Sequence, residues 1–352
     1  MEQANTSMNK LRFRCSVLRI AILLVCAPNI CGASRVGTRE RRVLENATHF
    51  PEGTVLAARS LNGTLLWAEI GKLHNRRTGT DYVFPNKAFE CERIVWSADQ
   101  KRVLVLGETD AYILNAASLR LMRHLETFTA WWQGSHYAYL NYSSEPCRIV
   151  SQSGKTIFVP KNLEIYSADP ENGDLLCGRL LPRERNWQER DPALRMQIWK
   201  QNAQGKLHRI RILGKSYFDG GSTGVPRAFG TTTGRRVVMG APHGGGTFET
   251  LQMADRGEIN SIFSEPGVNF MISEQGPFRA EKTLFGLVRP GSLIDQQRKA
   301  PFLYQVSDEK MTRKKLGMNT LFVYYDPVRH AIGIATATDT DVVVRFIPVK
   351  PH

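Results

Sequence analysis

The stretch of sequence that decides the fold runs from Arg93 to Leu125 and reads RIVWSADQKRVLVLGETDAYILNAASLRLMRHL. It holds four short runs of β-branched, aromatic and other apolar residues, separated by segments that contain Ser, Asp, Asn or Gly. Such runs are typical of short β-strands joined by tight turns. They predict strands at residues 94–96, 102–106, 111–115 and 119–125.

Four antiparallel strands in about 33 residues have the size and order of one β-propeller blade. Six further segments repeat its opening, a strand that is followed by a tight turn and an apolar strand; in the sixth unit the turn is assigned to residues 273–276. The first strands end at or beside Arg59, Trp96, Trp132, Tyr166, Phe229, Ile272 and Tyr325. We therefore expect an all-β fold, a seven-bladed β-propeller, with six and eight blades as the alternatives.

The last unit offers only three strands, at residues 320–325, 331–335 and 342–347. An open blade would leave an unpaired strand edge, which invites aggregation. The segment between Arg41 and Phe50 is therefore predicted to supply an N-terminal strand that closes the last blade.

The openings carry a partial repeat motif, WSADQK at residues 96–101 and YSAD at residues 166–169. They resemble the WD-like propeller repeat of bacterial extracytoplasmic proteins, including the Tol-system type, whose pattern is Trp-Ser-Pro-Asp-Gly-Lys before an apolar strand. Here the Pro and the Gly are replaced. The resemblance implies the fold over about residues 54–337 and carries no activity, since propellers host unrelated functions.

The N-terminus has the pattern of a secretory signal peptide at residues 1–33, with the alternative that the helix remains as an anchor. Basic residues precede a short apolar stretch at residues 20–27, and Cys31-Gly32-Ala33 supplies the small residues of a cleavage site. We expect residues 34–50 to form the N-terminal segment and closing strand, residues 51–352 to form the propeller, and the protein to be secreted or periplasmic. No transmembrane span is expected after signal removal.

Three cysteines remain beyond that leader, Cys91, Cys147 and Cys177. In an oxidising compartment they predict one disulfide and one free thiol, and their spacing leaves the pairing open.

The formal net charge is +14, which favours acidic partners, although charge spread evenly for solubility is the alternative. Longer connections at residues 71–80, 182–193, 214–226, 241–247 and 290–299 are assigned mostly to one end of the ring, as a recognition surface. The candidate binding residues in them are Lys72, Arg76, Arg77, Arg183, Arg185, Trp187, Arg190 and His243.

Local catalytic motifs are weak. GGSTG at residues 220–224 matches the nucleophile-elbow pattern, but Val225-Pro226 follows where that motif needs a helix. No catalytic residue, cofactor or metal ligand is assigned. The favoured function is a monomeric scaffold that binds a protein or an acidic polymer, without sequence-specific nucleic-acid binding. The alternative is a hydrolase or lyase on glycans or lactones, with a central-channel site built from several blades.

Overall fold

The computed structural model describes residues 48–127, 129–142, 147–161, 163–180, 194–202, 206–215, 226–231, 235–240, 250–254, 259–263, 270–272, 277–290, 300–307 and 311–349. The chain divides into two units, Met1–Asn46 and Ala47–His352, and all described residues belong to the second. Every regular element among them is a β-strand. This confirms the all-β class.

The described strands form seven antiparallel sheets, which we number in chain order. The first sheet contains β2 (Leu56–Arg59), β3 (Leu65–Glu69), β4 (Lys72–Asn75) and β5 (Thr80–Val83), and the second contains β6 (Arg93–Trp96), β7 (Arg102–Leu106), β8 (Ala111–Asn115) and β9 (Leu121–Leu125). The third contains β10 (Ala130–Gln133), β11 (His136–Asn141), β12 (Arg148–Ser151) and β13 (Thr156–Phe158), and the fourth contains β14 (Leu163–Ala168), β15 (Asp174–Leu180), β16 (Leu194–Gln201) and β17 (Leu207–Lys215). The fifth contains β18 (Pro226–Thr231), β19 (Arg235–Gly240), β20 (Thr250–Ala254) and β21 (Ile259–Phe263). The sixth contains β22 (Phe270–Ile272), β23 (Phe278–Ala280), β24 (Thr283–Pro290), β25 (Phe302–Val306) and β26 (Met311–Lys315). The seventh joins β27 (Thr320–Asp326), β28 (Ala331–Ala337) and β29 (Asp341–Pro348) to β1 (Thr48–Pro51).

The predicted closing strand is confirmed. Strand β1 pairs antiparallel with β29, with Thr48 opposite Val344, and so becomes the fourth strand of the seventh sheet. Phe50 anchors it, because its buried ring lies edge-on to Phe322 at 6.0 Å and to Tyr324 at 6.3 Å between ring centroids. The two ends of the described chain are thus joined by backbone hydrogen bonds and by an aromatic cluster.

The apolar core lies between neighbouring sheets. In β7, Val103 and Val105 pack in a cluster with the first sheet, whereas Leu104 and Leu106 pack in a cluster with the third. Successive side chains of a strand point to opposite faces, and here both faces are covered. That is why the second strand of a unit is a continuous apolar run. Gly230 of the fifth sheet lies beside Pro277 of the sixth, and β2 lies beside β27, so that the sheets close into a ring.

Glycine in a second strand makes room for tyrosine. Gly333 in β28 is directly opposite Tyr324 in β27, and a Cβ atom on Gly333 would lie 2.6 Å from Cε1 of that ring. Tyr324 is buried, so its ring cannot swing into solvent. The close approach of this aromatic side chain to the backbone therefore requires a residue without a Cβ.

One predicted turn is wrong. The hairpin that leads into the second strand of the sixth sheet was assigned to residues 273–276, which lie outside the described residues. Instead Ala280 pairs with Thr283, and the tight turn is Glu281-Lys282. Strand β23 therefore enters this turn, and its Phe278 and Ala280 pack in the cores next to the sixth sheet.

The predicted disulfide is also absent. Cys91, Cys147 and Cys177 are free thiols. Cys91 belongs to the cluster between the first and second sheets, while Cys177 belongs to the cluster between the third and fourth, against which Cys147 packs. Burial raises the pKa of Cys91 and of Cys177, as expected for small apolar core residues.

Candidate functional site

The structure describes three of the predicted binding residues, and it separates them. Residues 71–80 are not one long loop, because β4 occupies Lys72–Asn75. Lys72 opens that strand at the end where β3 turns into β4, whereas Arg76 and Arg77 follow it at the opposite end. All three side chains are exposed, but they do not form one patch.

The other predicted residues, Arg183, Arg185, Trp187, Arg190 and His243, lie outside the described residues, as does the pentapeptide at residues 220–224. The first four lie in the sequence between β15 and β16, and His243 lies in the sequence between β19 and β20. Both connections join the second strand of a sheet to its third. Their role in binding stays a prediction.

One end of the sheets is built from the turns between first and second strands, and we call it the hairpin face. Neighbouring sheets hydrogen-bond to one another there, through their turns and the adjoining strand ends. The Leu61 backbone N–H donates to Oε1 of Gln100 at 3.0 Å, and the Ala98 N–H donates to the Gly134 carbonyl at 3.3 Å. The Trp132 N–H donates to the Pro170 carbonyl at 3.0 Å. These contacts hold the turns of the first four sheets in fixed relative positions.

A buried carboxylate joins the last sheet to the first. Asp326, at the end of β27, is fully buried and accepts a hydrogen bond of 2.8 Å from Nη1 of Arg59 at the end of β2. Its other oxygen accepts the backbone N–H groups of Val328 and Arg329, both at 3.1 Å. Asp326 is therefore saturated by partners and holds Arg59 at the surface of the hairpin face.

Apolar side chains stand exposed beside that ion pair. Leu61 is 71% exposed and Val328 is 51% exposed, on the adjoining hairpin turns of the first and seventh sheets. Val328 also lies 3.8 Å from the position that a Cβ on Gly63 would take. We call Arg59, Leu61, Arg76, Val328 and Arg329 the seam patch.

A second cluster crosses the ring. Arg279 in β23 forms an ion pair of 2.7 Å with Asp169, which follows β14, and its Nε lies 3.4 Å from Glu171. Arg93 at the start of β6 donates from its guanidinium to the Pro277 carbonyl. These residues belong to the second, fourth and sixth sheets, no two of which are neighbours in the ring.

Burial and the neighbouring charges act in opposite directions on the ionisable groups of this central cluster. Burial lowers the pKa of Arg93, and the carboxylates of Asp169 and Glu171 oppose that effect. Burial and the adjacent Asp169 raise the pKa of Glu171 to about 7, although Arg279 and Arg93 act against the rise. Since 37% of the Glu171 side chain is accessible, this carboxyl group can exchange protons with solvent near neutral pH.

The two sites differ in what they can do chemically. The central cluster supplies one accessible carboxyl group of raised pKa beside two guanidinium groups, which suits proton transfer next to an anionic ligand. The seam patch supplies positive charge and apolar area, which suits recognition. In the part of the chain that the structure describes, no three His, Cys, Asp or Glu side chains are arranged to hold a metal ion, and no helix is long and apolar enough to span a membrane.

Sequence reasoning missed both sites, except for Arg76. Asp169 lies in the YSAD motif, which correctly predicts a turn, but nothing in the sequence pairs it with Arg279, 110 positions further on. Arg59 was an anchor residue, and its partner Asp326 was assigned to the turn after Tyr325. A charged residue at the end of a first strand, where an aromatic one is expected, was the available signal.

Comparisons with known proteins support the fold. No protein-family model and no curated protein matches the chain. Among solved structures, a chain of the mitotic checkpoint complex covers 92% of this chain and is covered completely, with a TM-score of 0.50 and 11% identity. The β-propeller domain of Cps50 (Swd1) from Myceliophteria thermophila covers 85% of this chain with 98% of its own length, a TM-score of 0.50 and 8% identity. The chain also matches 39% of the extracellular domain of a protein described as a hybrid two component system from B. thetaiotaomicron, with a TM-score of 0.48 and 13% identity. The likeness to the Cps50 (Swd1) domain shows that the chain has the fold of a β-propeller domain.

Proposed function

We propose that this protein is a β-propeller scaffold, each of whose seven sheets is one blade, and that it binds a partner protein through the hairpin face. The observation that carries this proposal is the seam patch, where Leu61 and Val328 expose apolar area on turns whose backbone is held in place. A binding surface that is rigid before association loses little conformational entropy on binding. Arginine is enriched among the energetically dominant contacts of protein interfaces, and the apolar area beside it is surface that the core of an interface buries.

Crosslinking from a chosen position tests this proposal. A photoreactive amino acid replaces Leu61 in one variant and Val83 in a matched variant. Val83 is also exposed and apolar, at 56%, but it ends β5 on the opposite end of the same sheet. We expect a discrete adduct from position 61 in the source cells and none from position 83. Equal adducts from both positions, or none from either, would contradict binding through the hairpin face.

The central cluster supports a second candidate, an enzyme acting on an acidic glycan or a lactone. Glu171 would exchange the proton, and Arg279 would orient an anionic group of the substrate. The test is a screen of sulfated and uronic-acid glycans and of lactones with the wild-type protein and with Glu171→Gln. Turnover that the substitution abolishes, while the folded state is kept, supports the enzyme; turnover that survives excludes Glu171 as the acid or base.

Export remains part of the proposal. Its support is the leader pattern at residues 1–33, with basic residues before an apolar stretch and small residues at the cleavage position. Mass analysis of the protein from its source cells measures the mature N-terminus. A mature chain that begins just after Ala33 supports export by a cleaved signal peptide, whereas a chain that retains Met1 contradicts cleavage.

A further inference from the structure

The arginines of the seam patch are placed by strand register. Arg59 is opposite Leu65, and the backbone N–H of Arg76 donates to the Leu65 carbonyl at 3.0 Å, so these three residues lie side by side across β2, β3 and the end of β4. Leu65 packs against the seventh sheet. Lateral neighbours in a sheet point to the same face, and the Arg76 guanidinium accordingly reaches the His49 carbonyl of β1 at 3.3 Å.

Arg329 completes the positive charge from the other side of the seam. Its Nε lies 3.7 Å from Asp326, and its guanidinium sits 4.2 Å above the ring of Phe346. The charges of Arg59, Arg76 and Arg329 all lower the pKa of the buried Tyr324, against the larger effect of burial, which raises it. The three guanidinium groups therefore all lie near Tyr324, at the seam between the seventh and first sheets.

These three cations outnumber the acids beside them. Asp326 is fully buried and saturated, so it is not available to an incoming ligand. Glu281, an exposed carboxylate on the adjoining turn of the sixth sheet, lies 3.1 Å from Nδ1 of His330, which pairs with it. The seam patch thus carries net positive charge at its accessible surface, where an anionic group binds without displacing an internal acid.

Resting on the proposed function, we propose that the seam patch binds a short acidic segment of the partner protein in which an apolar side chain lies between carboxylates. The carboxylates contact Arg59, Arg76 and Arg329, and the apolar side chain covers Leu61 and Val328. A sulfated or phosphorylated polymer would satisfy the guanidinium groups but would leave these two apolar side chains in water. The exposed fractions of 71% and 51% are the reason for preferring a peptide.

Fluorescence anisotropy of a labelled synthetic peptide tests the assignment. The peptide is rich in Asp and Glu around a central Leu, and its control carries Ser in place of that Leu. The seam variant is Leu61→Ser with Arg76→Glu. The matched control is Val83→Ser with Lys72→Glu, which makes the same changes in charge and polarity at a cross-strand pair on the opposite end of the first sheet.

We expect the seam variant to weaken peptide binding by about tenfold or more, the matched control to bind like the wild type, and the Leu-to-Ser peptide to bind more weakly. Equal losses in both variants would mean non-specific attraction to a basic protein and would overturn the assignment. Tighter binding of heparin fragments, in competition with the peptide, would make the occupant a polyanion and would also overturn it. If no acidic peptide binds while crosslinking from position 61 succeeds, the acidic segment is wrong but the hairpin face remains the binding surface.

Discussion

Replacing Glu171 by Gln measures which of two opposed effects in the central cluster is larger: the cost of burying the charged carboxylate, or its attraction to Arg279. A carboxyl group whose pKa is higher in the folded protein holds its proton more tightly there, so its ionisation opposes folding. The pKa of Glu171 is about 7 in the folded protein, against an ordinary value of 4.5. Its ionisation therefore leaves the free energy of unfolding unchanged below about pH 4.5, lowers it increasingly between pH 4.5 and pH 7, and lowers it by a constant amount above pH 7. Without solvent screening, this difference in pKa corresponds to about 3 kcal/mol of unfolding free energy.

Because 37% of the side chain is accessible, solvent screening reduces this figure to about 1 kcal/mol. Glu171→Gln should therefore stabilise the protein by about 1 kcal/mol at pH 8 and change nothing at pH 4.5. The assay is urea unfolding of both proteins across this pH range, with exposed Glu108→Gln as control. A lower urea midpoint for the variant at pH 8 would show that the ion pair with Arg279 outweighs burial, and the reasoning would be refuted.

The other predictions concern stability at fixed pH, measured by the same unfolding assay. Asp326→Asn should cost about 2 kcal/mol, less than a fully buried pair, because Arg59 is 23% exposed; a loss below about 0.5 kcal/mol would show the pair to be unimportant. Phe50→Ala should cost about 3 kcal/mol or more through the cavity that it leaves, and a loss below about 1 kcal/mol would mean that β1 is not an anchored strand. Gly333→Ala should cost about 1–3 kcal/mol, because the new methyl group meets Tyr324; in a Tyr324→Leu background the same substitution should cost almost nothing, and an undiminished cost there would argue against the steric cause.

The sequence predicted those features that depend on residues close together in the chain. The strands expected at residues 102–106 and 111–115 coincide with β7 and β8, because apolar runs and turn residues alternate within a few positions. The closing strand was also predictable, since a three-stranded last unit leaves an edge that must be paired.

The candidate sites were not predictable, because they join residues from distant parts of the chain. Arg59 and Asp326 are 267 positions apart, and nothing local to either residue marks it as half of a pair. Ring closure and strand register decide which side chains meet, and the sequence alone does not give the register of each strand. The same limit explains the wrong turn in the sixth sheet, where two short strands, β22 and β23, both pair with β24.

The pairing of β1 with β29 also has a consequence for biosynthesis. During translation, Thr48 leaves the ribosome long before its partner Val344 exists. Until then Phe50 has no strand to pair with, and the edge of β28 that β29 later covers is open, so the incomplete protein exposes an unpaired strand edge and an aromatic side chain. The stage just before β29 emerges is therefore the one at which the nascent chain is most open to aggregation.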